Sequence, residues 1–153
     1  MDLKDKQLLD LVQNNANISL SLIKKKTGLS STACWNRIKK LEEDKIIEKR
    51  VTILNRKKLN LDILVFLFIS VSKHTKMWNK NFFEVIQNYD EIVEVHRLTG
   101  DSSDYVLKIV ASSIKDYDDF QQKLISEIEF TKMSSSISLQ ELKQTYVLPL
   151  KKI

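Results

Sequence analysis

The sequence predicts an α+β protein in two parts, and three observations carry that expectation. Positive charge is confined to one end: residues 1–60 hold 14 Lys and Arg against 7 Asp and Glu, whereas residues 61–153 hold 11 against 13. One of only two glycines falls between two basic helical segments, in "KKKTGLSSTACWNRIKKLEE" at 24–43. After residue 60, period-two and period-3.6 patterns follow one another as strand, helix, strand, strand, helix, strand. The expected plan is a three-helix module over 1–60, ending in a connecting strand, and a mixed module over 61–153.

In the first module Leu8, Leu9 and Val12 recur at helical spacing behind Asp2 and Asp5, whose charge suits the positive end of a helix dipole. That helix ends near "NNAN" at 14–17. Ser19 stands where an N-cap belongs, and a second helix carries Leu22, Ile23 and the lysine triplet 24–26 to Thr27, where Gly28 stops it. Leu29 then fills the core and Ser30 caps a third helix. Its apolar stripe is Cys34, Ile38 and Leu41. At about 100° per residue the opposite side carries Thr32, Asn36, Lys39 and Lys40, with Trp35 and Arg37 on the flanks and no carboxylate before Glu42.

Two helices joined at a glycine, the second turning polar and basic groups outward, form the pattern of a helix-turn-helix, here of winged-helix-like build. Such a helix fits the major groove of double-stranded DNA. Ser31 and Thr32 are short enough for close backbone approach, and Asn36 can read an adenine edge. Arg37, Lys39 and Lys40, with Lys24–Lys26, are expected to displace counterions from phosphates. Trp35 has two readings, packing against a neighbouring helix or meeting DNA. Cys34 reads as a small core residue.

From Ile47 to Leu54 apolar and charged residues alternate, which predicts the connecting strand. Beyond it the expected elements are strands at 62–72, 92–99, 104–112 and 135–143 and helices at 77–89 and 115–129, a βαββαβ ferredoxin-like order. Two helices cover one face of a four-stranded sheet, yet 63–69 is apolar on both. Ile63, Val65, Leu67 and Ile69 point one way; Leu64, Phe66 and Phe68 point the other. A homodimer through the uncovered faces is expected, and its symmetry suits a palindromic site.

A single cysteine excludes an intrachain disulfide and fits a reducing compartment, the cytoplasm. The polar start "MDLKDKQ" does not resemble a signal peptide, and the longest apolar run, 63–71, is far short of the roughly 20 residues of a membrane span. His74, His96 and Cys34 are scattered without ligand spacing, so no metal is expected. Neither a nucleophile–base pair nor a phosphate-binding glycine loop appears, so no cofactor and no enzyme activity are expected either.

Four stretches resemble the Lrp/AsnC (feast/famine) transcriptional regulators across nearly the whole length: "DKQLLDLVQNNANIS" at 5–19, "TGLSSTACWNRIKKLEE" at 27–43, "LTGDSSDYVLK" at 98–108 and "LQELK" at 139–143. The resemblance implies a DNA-binding module followed by one that dimerises, assembles further into octamers and binds amino acids between subunits. It places the effector pocket at Gly100, Asp101 and Asp104. Glycine there would expose backbone N–H groups to a ligand carboxylate, and a carboxylate would hold its ammonium; the bland alternative is an ordinary hairpin turn. Lys45 and Ser31 stand where the family has glycine and proline. Two other functions compete. One is an architectural protein that wraps DNA with little sequence preference. The other is a tetrapyrrole decarboxylase of similar build, which would use His96 and Arg97.

Overall fold

The computed structural model describes residues 1–100 and 102–152, Lys152 by its backbone alone. They form two compact units, Met1–Ile53 with Lys143–Ile153, and Leu54–Leu142.

In the first unit, α1 (Leu3–Asn14), α2 (Leu20–Thr27) and α3 (Ser31–Glu43) lie where the apolar spacing puts them. Their starts are set by side chains that satisfy otherwise unpaired backbone N–H groups: Asp2 for α1, Ser19 for α2 and Ser30 for α3. Gly28 ends α2 at φ 72, a left-handed conformation that favours glycine. The end of α3 is closed by paired bonds from Ile46 N to Leu41 O (2.9 Å) and Lys45 N to Glu42 O (3.1 Å). That closure forces Lys45 to φ 57, a left-handed conformation that a non-glycine residue rarely adopts. Leu8, Ile23, Cys34 and Ile38 form the core, with Leu11, Val12, Ile18, Leu29 and Ile47 packed against it. Thr27, buried among them, donates its hydroxyl to Ile23 O at 2.9 Å. The last residues belong to this unit: Gln13 holds the Leu148 backbone from both sides, accepting from its N–H at 2.9 Å and donating to its carbonyl at 3.2 Å.

The connecting strand expected over Ile47–Leu54 does not form. A strand exists only through a hydrogen-bonded neighbour, and this segment pairs with none among the described residues. Val51, Ile53 and Leu54 stay exposed, and the chain continues into a short 3-10 turn at Arg56–Leu59 that the sequence reading lacked.

The second unit holds β1 (Ile63–Ser70), α4 (Lys76–Ile86), β2 (Ile92–Arg97), β3 (Tyr105–Ala111), α5 (Ile114–Glu127) and β4 (Lys132–Ile137). The sheet is antiparallel in the order β2-β3-β1-β4, the ferredoxin-like arrangement. β4 begins three residues earlier than expected and stops six sooner, because register against β1 pairs Met133 with Ile69 and Ile137 with Val65. The "LQELK" stretch lies outside the sheet, with Leu139 99% exposed.

Val65, Leu67, Ile69, Tyr105, Leu107 and Ile109 meet Phe82 and Val85 of α4 and Tyr117, Phe120 and Leu124 of α5 in one core. No described helix covers the other face. There Phe66 lies between Lys108 and Ser136, and Phe68 between Val106 and Ser134, both rings half buried. Leu64, on the same face, is 4% exposed.

Candidate nucleic-acid interface and effector loop

Because Cys34, Ile38 and Leu41 anchor α3 in the core, helical geometry turns Ser31, Thr32, Asn36, Lys39 and Lys40 outward, and all five are exposed. Trp35 is 52% exposed at the mouth of a groove of about 440 Å³, whose lining includes Val12, Ile18, Leu20 and Ile38. Lys39 Nζ stands 5.3 Å from the centroid of the Trp35 ring, and pairs with Glu43 at 3.6 Å. The indole therefore lines a groove that is largely apolar and has a cation beside it. Lys24–Lys26 are exposed at the end of α2, where they also complement its negative pole.

Arg37 differs from its neighbours. Its Nη1 donates to Asp2 Oδ2 at 2.8 Å and to Asp5 Oδ1 at 2.6 Å. Hydrogen bonds to Asp5 and then Asp2 raise the guanidinium pKa. The Asp2 carboxyl is held below its ordinary range, first by the Asp5 backbone N–H and next by Arg37. The sequence placed Asp2 and Asp5 at the helix pole; their reach to α3 is a three-dimensional fact that spacing along one helix cannot signal.

At one end of the sheet, the β2–β3 loop is tied down by Asp104. Its Oδ2 accepts from Val71 N at 2.8 Å and its Oδ1 lies 3.0 Å from His74 Nε2. Its backbone N–H donates to Ile69 O at 2.9 Å, and its carbonyl accepts from Leu98 N at 2.7 Å. The Val71 N–H, and after it His74, hold the Asp104 carboxyl below its usual range. Gly100 has φ 141 and open space where a Cβ would stand; Asp101 lies outside the described residues. The same end of the sheet carries a cleft of about 300 Å³ in which Lys73 and Glu129, a cation and a carboxylate, stand among the apolar Val71, Trp78 and Phe130 and the hydroxyls of Ser72, Thr75 and Thr131. His96 Nε2 bonds Glu94 Oε1 at 2.7 Å on β2, and Lys108 reaches the other Glu94 oxygen at 3.4 Å. Among the described residues no cluster of three His, Cys, Asp or Glu could hold a metal, and no helix is long and apolar enough to cross a membrane.

A helix-turn-helix module with an outward basic helix, joined to a ferredoxin-like module, defines a DNA-binding transcriptional regulator. Residues 1–48 match the winged helix-turn-helix DNA-binding family, and residues 64–148 match the Lrp/AsnC ligand binding domain. The chain belongs to the Lrp/AsnC family. It is 41% identical over 146 residues to the glutamate uptake regulatory protein of Zymomonas mobilis, covering 95% of this chain and 88% of that protein. Its fold matches an AsnC family transcriptional regulator from Agrobacterium tumefaciens with a TM-score of 0.94 and 38% identity, over 100% of this chain and 99% of that one. A transcriptional regulator of Neisseria meningitidis in complex with L-methionine matches with a TM-score of 0.93 and 25% identity, over 99% and 98%.

Proposed function

We propose that this chain is a sequence-specific transcriptional regulator that works as a homodimer, or as an octamer of stacked dimers, and whose DNA binding responds to an amino acid. Its place of action is the cytoplasm, on DNA, and no catalytic step is assigned to it. The observation that carries this reading is the outward face of α3: Ser31, Thr32 and Asn36 present short polar groups while Lys39 and Lys40 add charge beside them. Trp35 joins that face as an apolar contact for a base methyl or sugar.

The dimer is supported by the half-buried Phe66 and Phe68 on the sheet face that no described helix covers. An amino-acid effector is supported by the chemistry at the end of the sheet, where Gly100 and Asp104 belong to the β2–β3 loop and the neighbouring cleft is lined by Lys73 and Glu129, a cation and a carboxylate for the two charges of a zwitterion.

Selection of bound duplexes from random DNA, run with and without a mixture of amino acids, tests both halves. A pseudo-palindromic sequence is expected to emerge and to bind more than about tenfold tighter than random duplex. Amino acids are expected to change that affinity. Discrimination below tenfold would instead favour sequence-tolerant wrapping of DNA.

A further inference from the structure

We propose that Arg37 is a positioning residue and not a phosphate contact: Asp2 and Asp5 clamp its guanidinium and so fix the rotation of α3, which sets where Asn36 and Lys40 point. This role rests on α3 being the helix that reads DNA. The clamp is built in two layers. Asp2 Oδ1 accepts from Asp5 N, and Asp5 Oδ2 accepts from Asp2 N, each at 2.8 Å. One oxygen of each carboxylate is thus committed to capping α1, and the oxygen left over on each meets the same nitrogen, Nη1 of Arg37. The acceptors are held by backbone bonds that do not involve Arg37, so they define a point in space and not merely a region of negative charge.

Charge leads to the same assignment. Two carboxylates against one guanidinium leave the trio net negative, so Arg37 has no surplus charge to release counterions from DNA. By side chain Arg37 is 35% exposed, Asp5 16% and Asp2 53%, so the Asp5 arm of the contact is partly shielded from solvent and the Asp2 arm is open to it. Rotation is what such a clamp controls. Cys34, Ile38 and Leu41 bury α3 in the core, but a stripe of three small and aliphatic side chains makes no directional polar bond that would fix the helix's rotation. Arg37 lies off that stripe, between Asn36 and Lys40 in sequence, where a fixed point resists roll with the longest lever.

The test uses the full chain, kept well below its unfolding temperature, with the best selected duplex and a random one across a salt series. Arg37→Met is expected to weaken binding to the selected duplex by about tenfold, with random-duplex affinity within about twofold and the salt slope unchanged. Asp5→Asn is expected to weaken selected binding too, although it removes a negative charge. Arg37→Lys guards against a variant that fails to fold. Lysine serves as a phosphate contact, but its ammonium ends one bond short of the position that Nη1 occupies between the two fixed oxygens, so it too should lose discrimination. Equal losses on both duplexes with the slope reduced by about 0.9 would make Arg37 a phosphate contact and overturn the clamp. Tighter binding of both duplexes by Asp5→Asn would overturn it as well, since the carboxylates would then only repel DNA. Should the wild type not distinguish the duplexes, the reading of α3 fails while amide chemical shifts still decide the clamp. Under it, Arg37→Lys moves the shifts of Ala33 through Lys40; shifts confined to Arg37 and its immediate neighbours would refute it.

Discussion

Gly28 and Lys45 occupy the same kind of backbone position with opposite chemistry. Both are left-handed, at φ 72 and φ 57, and each lies where a helix ends. At Gly28 nothing stands within 4 Å of where a Cβ would be, so substitution there is strained by conformation alone. Gly28→Ala should cost about 1 kcal/mol, and Lys45→Gly should gain about 1 kcal/mol by relieving the same strain. Urea unfolding of the full chain followed by helical circular dichroism measures both, and a loss of stability in Lys45→Gly would contradict the strain assignment. Gly28 was legible in the sequence because its residue type announces the turn. Lys45 was visible only as a departure from a family pattern, and Arg37 read as one more cation because its partners lie more than thirty residues away in the chain.

Helices and strands differed in how well they could be located. Ser19 and Ser30 were read as caps and are caps, since a cap acts on backbone N–H groups only a few residues ahead. Strands have no such local signal. Alternation over Ile47–Leu54 resembled a strand but finds no partner, whereas the serine-rich Lys132–Ile137 forms β4 because β1 offers an edge. The β2–β3 loop lies between these cases: the sequence marks Asp104 as a carboxylate for a ligand ammonium, and gives no sign that it also ties the loop to Val71 N and His74. A carboxyl whose folded pKa is depressed stabilises fully above its unfolded pKa, and loses that contribution as pH falls through the folded value. The loop tie should therefore hold at neutral pH and through the ordinary carboxylate range, and fail only as pH falls through the depressed Asp104 value below that range. Amide exchange at Val71, corrected for the intrinsic rate, should accelerate in that window, and Asp104→Asn should remove the step. A step that survives in Asp104→Asn would assign it to another group.

For the whole molecule, the proposed dimer through the sheet face would set how many α3 helices meet DNA together. Along β1 the odd-numbered residues enter the core, while Phe66 and Phe68 remain half buried between Val106, Lys108, Ser134 and Ser136. Full burial of a Phe side chain is worth about 1.5–3 kcal/mol, so completing the burial of two rings on each of two subunits is a substantial drive to associate. In a two-fold interface a residue near the axis meets its own copy, which makes a single charge doubly unfavourable there. Phe68→Lys should thus separate the dimer while leaving the helix-covered core, built from the opposite face, intact. Sedimentation equilibrium at micromolar concentration should give a dimer or larger for the wild type and a monomer for Phe68→Lys, both with native circular dichroism. The variant should also bind a full palindrome no better than a half-site, because its second α3 is no longer delivered at high effective concentration. A wild type that sediments as a monomer would refute the interface. A Phe68→Lys dimer that keeps its preference for the palindrome would place the two-fold axis elsewhere on the chain.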